Sequence, residues 1–183
     1  MFTRWRTERE FQRKAERFVE RLLVDPVDAD VLWLAGVATH GDADHARWEL
    51  RYAKRSLGLI TAERDALDDR TGSVVARALA DATGRDPQVA PEMHEIAERQ
   101  FNARLSAYRD ALSARAGAAT GARLGQTLFA FAGGSFRQVD EHIVRGGELL
   151  SEYLTEANAN LRETFGKPSL PEDIRPSALK AER

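Results

Sequence analysis

The stretch that decides the fold runs from Asp42 to Ala82, DADHARWELRYAKRSLGLITAERDALDDRTGSVVARALADA. It contains no proline, and its apolar residues recur at alternating spacings of three and four, the period of a helix packed against other helices. The stripe consists of Ala46, Leu50, Ala53, Leu57, Ile60, Leu67, Val74 and Ala78. Because the spacing keeps its phase across Gly72, we expect one continuous helix of roughly 60 Å. A fresh helix capped by Thr71 or Ser73 is the alternative.

The rest of the chain repeats this pattern between clear turn signals. Helical periodicity appears in residues 1–24, 31–38, 91–112 and 139–161, and residues 27–66 are predicted to form a helical hairpin. Gly166 and Pro168 then end the last helix. The sequence therefore predicts an all-α fold, an antiparallel bundle of four to six helices with an N-terminal helical hairpin and one very long helix. We expect one domain over residues 1–166 and a proline-rich tail over 167–183.

Composition narrows the classes of function. The 183 residues carry a net charge of −2, which disfavours bulk binding of nucleic acid because that needs a basic surface. The absence of cysteine excludes disulfides, thiolate metal sites and cysteine nucleophiles. No apolar run is long enough for a signal peptide or a membrane span, so we expect a cytoplasmic protein.

No catalytic signature stands out in the sequence. It lacks a nucleophile elbow, a phosphate-binding loop and a dinucleotide-binding fingerprint. We therefore predict no catalytic residues, and a non-enzymatic protein is favoured over an enzyme.

A row of small residues suggests a close helix contact. Gly117, Gly121 and Gly125 are each four residues apart, so on a helix they lie on one face with almost no side chains. Two backbones can approach closely across such a face. The functional interpretation is a homodimer or cofactor contact on these three glycines, and the alternative is a tight crossing with another helix of the same chain.

Histidines and carboxylates suggest a second kind of site. His45 and Glu49 are four residues apart on one helix face, a spacing at which a bundle can bind a metal ion. With His142 as a third ligand they form the candidate metal site, and a divalent metal is the one cofactor considered. No Glu-x-x-His or His-Glu-x-x-His motif accompanies them, so a surface histidine paired with a glutamate is the alternative.

Three hypotheses follow from these observations. The first is a non-enzymatic assembly or interaction protein that associates with itself through the glycine face. The second is a helical bundle that binds a metal or a small ligand of unknown identity through histidine and carboxylate side chains. The third is peripheral attachment to a membrane surface through the amphipathic segment 1–23, where basic residues outnumber acidic ones.

Overall fold

The computed structural model describes residues 2–66, 68–113, 119–134 and 141–167. These ranges contain seven α-helices, one short 3-10 helix and no strand. The helices are α1 Phe2–Leu22, α2 Asp28–Val37, α3 Ala43–Asp65, α4 Asp69–Thr83, α5 His94–Ser113, α6 Ala119–Phe131 and α7 Glu141–Phe165, with the 3-10 helix Pro91–Met93 before α5. The predicted all-α bundle is confirmed, with one helix more than the upper end of the predicted range.

The long apolar stretch forms two helices, which corrects the expectation of a continuous rod. Helix α3 ends at Asp65, and α4 begins at Asp69. Asp68 adopts an extended conformation between them, and its carboxylate accepts hydrogen bonds from the backbone N–H of Thr71 at 2.6 Å and from the Thr71 hydroxyl at 2.9 Å. An aspartate that satisfies free N–H groups in this way is a strong N-cap. The periodic spacing could not reveal this break.

Helix α3 is the centre of the bundle. All other helices pack against it, with the α2 contact forming the predicted N-terminal hairpin. Its residues 49–62 are buried without interruption. Gly58 allows α1 to approach α3 closely, because the Leu22 side chain of α1 occupies the space that a Cβ atom at Gly58 would need. The sequence predicts an apolar stripe on one side of this helix, whereas residues 49–62 are enclosed on every side.

The amphipathic face of α1 packs inside the bundle, against α4 and α7. Its buried residues are Ala15, Phe18, Val19 and Leu22. Phe11 extends this contact through an edge-on arrangement with Phe165 of α7, with ring centroids 5.5 Å apart. The apolar stripe on which the membrane-surface hypothesis depends is thus occupied in the folded protein. Within the described ranges, no helix is both long enough and apolar enough to cross a membrane.

The small-residue face of α6 lies directly on α7. A Cβ atom at Gly125 would collide with the backbone of Ile143, and one at Gly147 would collide with the backbone of Gly121. The two backbones thereby come together at facing glycines, which are Gly121 and Gly125 on α6 and Gly146 and Gly147 on α7. A homodimer through the same surface would require α6 and α7 to separate. Gly117 lies outside the described residues, and self-association stays a prediction.

Alanine substitutions at the two described glycines of α6 should have opposite effects. Gly125→Ala should lower the free energy of unfolding by about 1–3 kcal/mol, because the added methyl group must push the α7 backbone away. Gly121→Ala meets no atom of the described residues within 4 Å and should raise the free energy of unfolding by about 0.5–1 kcal/mol through better helix propensity. Urea denaturation of the two variants checks this, and equal effects would contradict the tight crossing.

Candidate functional site

Four charged side chains of α3 are buried, and each has a partner of opposite charge on another element. Arg51 pairs with Asp25 at 2.8 Å and Arg55 with Asp86 at 3.1 Å. Lys54 lies 3.7 Å from Glu156 of α7, and Glu49 pairs with Arg104 of α5. An isolated buried charge costs several kcal/mol. The charged residues of α3 can therefore be buried only because each has a partner of opposite charge. The pairs are Glu49–Arg104, Arg51–Asp25, Lys54–Glu156 and Arg55–Asp86.

The Glu49–Arg104 pair is the most enclosed of these contacts. The Glu49 side chain is 3% exposed, and Arg104 Nε donates to its Oε2 at 2.8 Å while Nη2 donates to Oε1. Hydrogen bonding to Glu49 raises the pKa of Arg104 although burial opposes it. The guanidinium also lies over the rings of Tyr52 and Phe131, 4.9 and 4.5 Å from their centroids. This bidentate geometry fixes α5 against α3.

The candidate metal ligands come together only in part. His45 Nε2 lies 3.3 Å from Glu49 Oε1, with the histidine partly exposed at the surface. His142 lies in the first turn of α7. Among the described residues, no three histidine, aspartate or glutamate side chains form a group that could hold a metal ion. Because Arg104 already occupies both oxygens of Glu49, the arrangement corresponds to a histidine paired with a glutamate, the alternative interpretation of this motif.

A cavity of about 320 Å³ opens between α3, α4 and α5. We call it the α3–α4–α5 cavity. Helices α4 and α5 both pack on α3 but make few contacts with each other, so a space is left between them. Its wall is mainly apolar and aromatic, with lining residues that include Trp48, Tyr52, Leu59, Leu79, Phe101 and Leu105. Size and lining are typical of sites that bind small organic molecules.

A more open groove adjoins this cavity on the side of the 3-10 helix. The two spaces share the lining residues Trp48, Tyr52, Val89 and Ala97. Burial raises the pKa of Tyr52, so its hydroxyl stays protonated and donates to Gln100 at 3.3 Å. Trp48 and Tyr52 lie 5.6 Å apart between their ring centroids and form the aromatic wall between the two spaces.

Two polar nitrogens belong to residues that line the cavity and have no hydrogen-bond partner among the described residues. They are Arg55 Nε and His94 Nε2, and both atoms are buried. His94 and Glu98 are four residues apart on α5, and both line the cavity. The Nε2 atom of His94 is shielded from solvent. Buried polar atoms without partners are rare in native proteins.

Sequence reasoning missed Arg55 and His94 as site residues. Arg55 lies off the apolar stripe of α3, where a solvated charge is the ordinary expectation. The run Ser56–Ala62 contains no charged residue, and this is the signal that the helix is enclosed on every side. Arg55 directly precedes this run and is buried together with it. His94 carried no comparable signal, because its burial depends on where the turn after α4 places the start of α5.

Comparison with known proteins does not assign this chain to a family. The chain matches no protein family, and no curated protein or solved structure is similar to it. The described residues define an all-α bundle with a mainly apolar cavity beside its central helix.

Removal of Arg104 should destabilise the protein strongly. Arg104→Gln leaves the buried Glu49 carboxylate without its bidentate partner, and we expect a loss of about 3 kcal/mol in the free energy of unfolding. Arg99→Gln on the same helix breaks only an exposed pair with Glu95 and should change it by less than about 0.5 kcal/mol. Thermal and urea denaturation measure both variants, and similar losses would contradict the structural role of the buried pair.

Proposed function

We propose that the protein binds a small organic molecule in the α3–α4–α5 cavity. The observation that carries this proposal is the cavity itself, about 320 Å³ in volume, whose mainly apolar and aromatic wall also includes the polar residues Arg55, His94 and Asn102. An apolar lining supplies affinity, and a few fixed polar groups supply orientation. This is the small-ligand form of the second hypothesis from the sequence, with Arg55 and His94 in place of His45, Glu49 and His142.

The wall of the cavity supports binding without large rearrangement. The turn between α4 and α5 is held to α3 by the Arg55–Asp86 pair and by a hydrogen bond from Arg51 to Gln88. The Asp86 carboxylate also accepts from the backbone N–H of Gln88 at 3.0 Å, which fixes the turn itself. A site whose walls are ordered in advance loses little conformational entropy when the ligand binds.

The other two hypotheses have weaker support. Self-association through the glycine face needs a surface that α7 covers at Gly121 and Gly125. Attachment to a membrane surface needs the apolar side of α1, where Phe18 and Leu22 are buried in the core. Binding of a divalent metal would need ligands beyond His45 and Glu49. Homo-oligomer formation and a cytoplasmic location stay predictions from the sequence.

Filling the cavity should abolish ligand binding. Ala97 lines both the cavity and the groove, so Ala97→Phe places a ring in the ligand space. The probe is prodan, an uncharged naphthalene ketone whose fluorescence rises and shifts to the blue in an apolar site. We expect saturable binding by the unsubstituted protein and at least tenfold weaker binding by Ala97→Phe.

Ala103→Phe is the matched control, because it adds the same ring to an exposed position of α5 outside both spaces. It should bind prodan as the unsubstituted protein does. Absence of saturable binding by the unsubstituted protein would contradict the proposal, and so would equal affinity of all three proteins.

A further inference from the structure

The α3–α4–α5 cavity has a buried floor and an open mouth. Leu59 of α3, Leu79 of α4 and Leu105 of α5 line the cavity and are buried. The lining residues that are exposed to solvent are Ala80 and Gly84 of α4 and Glu98 and Asn102 of α5. A ligand in this cavity therefore places an apolar part against the leucines, while its other end meets solvent between α4 and α5.

The free polar side chains of the mouth lie on α5. Glu98 and Asn102 are four residues apart, so both lie on the same side of the helix. Within the described ranges, neither side chain has a hydrogen-bond or ion-pair partner. On α4, the Thr83 hydroxyl already donates to carbonyl oxygens of its own helix. The groups that remain for the outer end of a ligand are thus a carboxylate and an amide.

Glu98 carries the unbalanced charge among the described residues that line the cavity. Arg55, the arginine in the cavity wall, is paired with Asp86 at 3.1 Å. The residue after Glu98 on α5, Arg99, is paired with Glu95 at 2.9 Å. The mouth therefore presents one net negative charge, and a carboxylate accepts hydrogen bonds but donates none.

We infer that the ligand is an amphipathic cation, with an aromatic or aliphatic body on the cavity floor and an ammonium group bound by Glu98 at the mouth. This inference rests on the proposed function and adds the chemical class of the ligand. The ammonium group donates to the Glu98 carboxylate and to the side-chain oxygen of Asn102, and it keeps part of its hydration because both residues are exposed. The contact does not involve the shielded nitrogen atoms of Arg55 and His94.

Three naphthalenes with chains of similar length at the same ring carbon test this class by calorimetry near neutral pH. Naphthylethylamine ends in an ammonium group, naphthylethanol in a hydroxyl group and naphthylacetate in a carboxylate. At low ionic strength we expect the amine to bind about three- to fivefold more tightly than the alcohol, the value of a partly exposed ion pair, and the carboxylate to bind more weakly than the alcohol. An amine that binds no more tightly than the alcohol, or a carboxylate that binds most tightly, would overturn the cationic class and leave the cavity as a binding site.

Glu98→Gln tests the residue, because it removes the charge and keeps the size of an exposed side chain. The amine and the alcohol should then bind with affinities within about 1.5-fold of each other. Asp110→Asn is the matched control, since it changes the net charge equally at an exposed position of α5 that lines neither space, about 18 Å farther along the helix. It should keep the full preference for the amine. A preference that persists in Glu98→Gln, or that disappears in both variants, would overturn the role of Glu98.

Salt provides a test on the unsubstituted protein. The Debye length falls from about 30 Å at about 0.01 M salt to about 3 Å at about 1 M. The affinity ratio of amine to alcohol should therefore decrease toward one as salt is added, because the contact lies at an open mouth. A ratio that does not change with salt would contradict a charge contact with Glu98.

Failure of the proposed function would give a different result in the same titrations. If none of the three naphthalenes binds, or if all three bind Ala97→Phe as tightly as they bind the unsubstituted protein, the cavity does not hold a ligand. The proposed function would then fail together with the inference, whereas a loss of the amine preference alone would overturn only the inference.

Discussion

The structure depends on the burial of residues 49–62 of α3 together with the charged residues among them. Residues 49–62 are enclosed by the surrounding helices, yet they include one glutamate, two arginines and one lysine. The partners Asp25, Asp86, Arg104 and Glu156 come from the turn after α1, the turn after α4, helix α5 and helix α7. Each ion pair therefore fixes one neighbouring segment along and around the central helix. Apolar packing alone would leave these segments free to slide in register.

Close backbone packing between α6 and α7 supplies the second constraint. Helices α6 and α7 meet through glycines, so their separation is set by backbone atoms and hardly by side chains. Leu124, Leu128 and Phe129 of α6 and Ile143 of α7 are buried in the same core. A rigid pair of this kind gives α3 a fixed surface, because α7 is one of its main packing partners.

The sequence was sufficient to predict the all-α fold, because the three-four spacing of Leu50, Ala53 and Leu57 reflects burial directly. It left the break before α4 as the alternative to one continuous helix, and it did not identify the cap as Asp68, since the apolar phase continues from α3 into α4. The glycine row predicted a close helix contact, but only the tertiary structure identifies α7 as the neighbour at Gly121 and Gly125. Apolar character alone does not predict burial at every position, since Leu32 of α2 is 66% exposed.

The α3–α4–α5 cavity could not be predicted from the sequence, because it forms where α4 and α5 diverge while both pack on α3. Periodicity places apolar residues on faces, but it contains no information about the angle between α4 and α5. That angle depends on the turn between them, and the turn is held in place by Arg51 and Arg55 through Gln88 and Asp86. The same arginine that secures the turn also lines the cavity. A side chain required for folding is therefore also part of the cavity wall, so the shape of the cavity and the position of the turn depend on one buried ion pair.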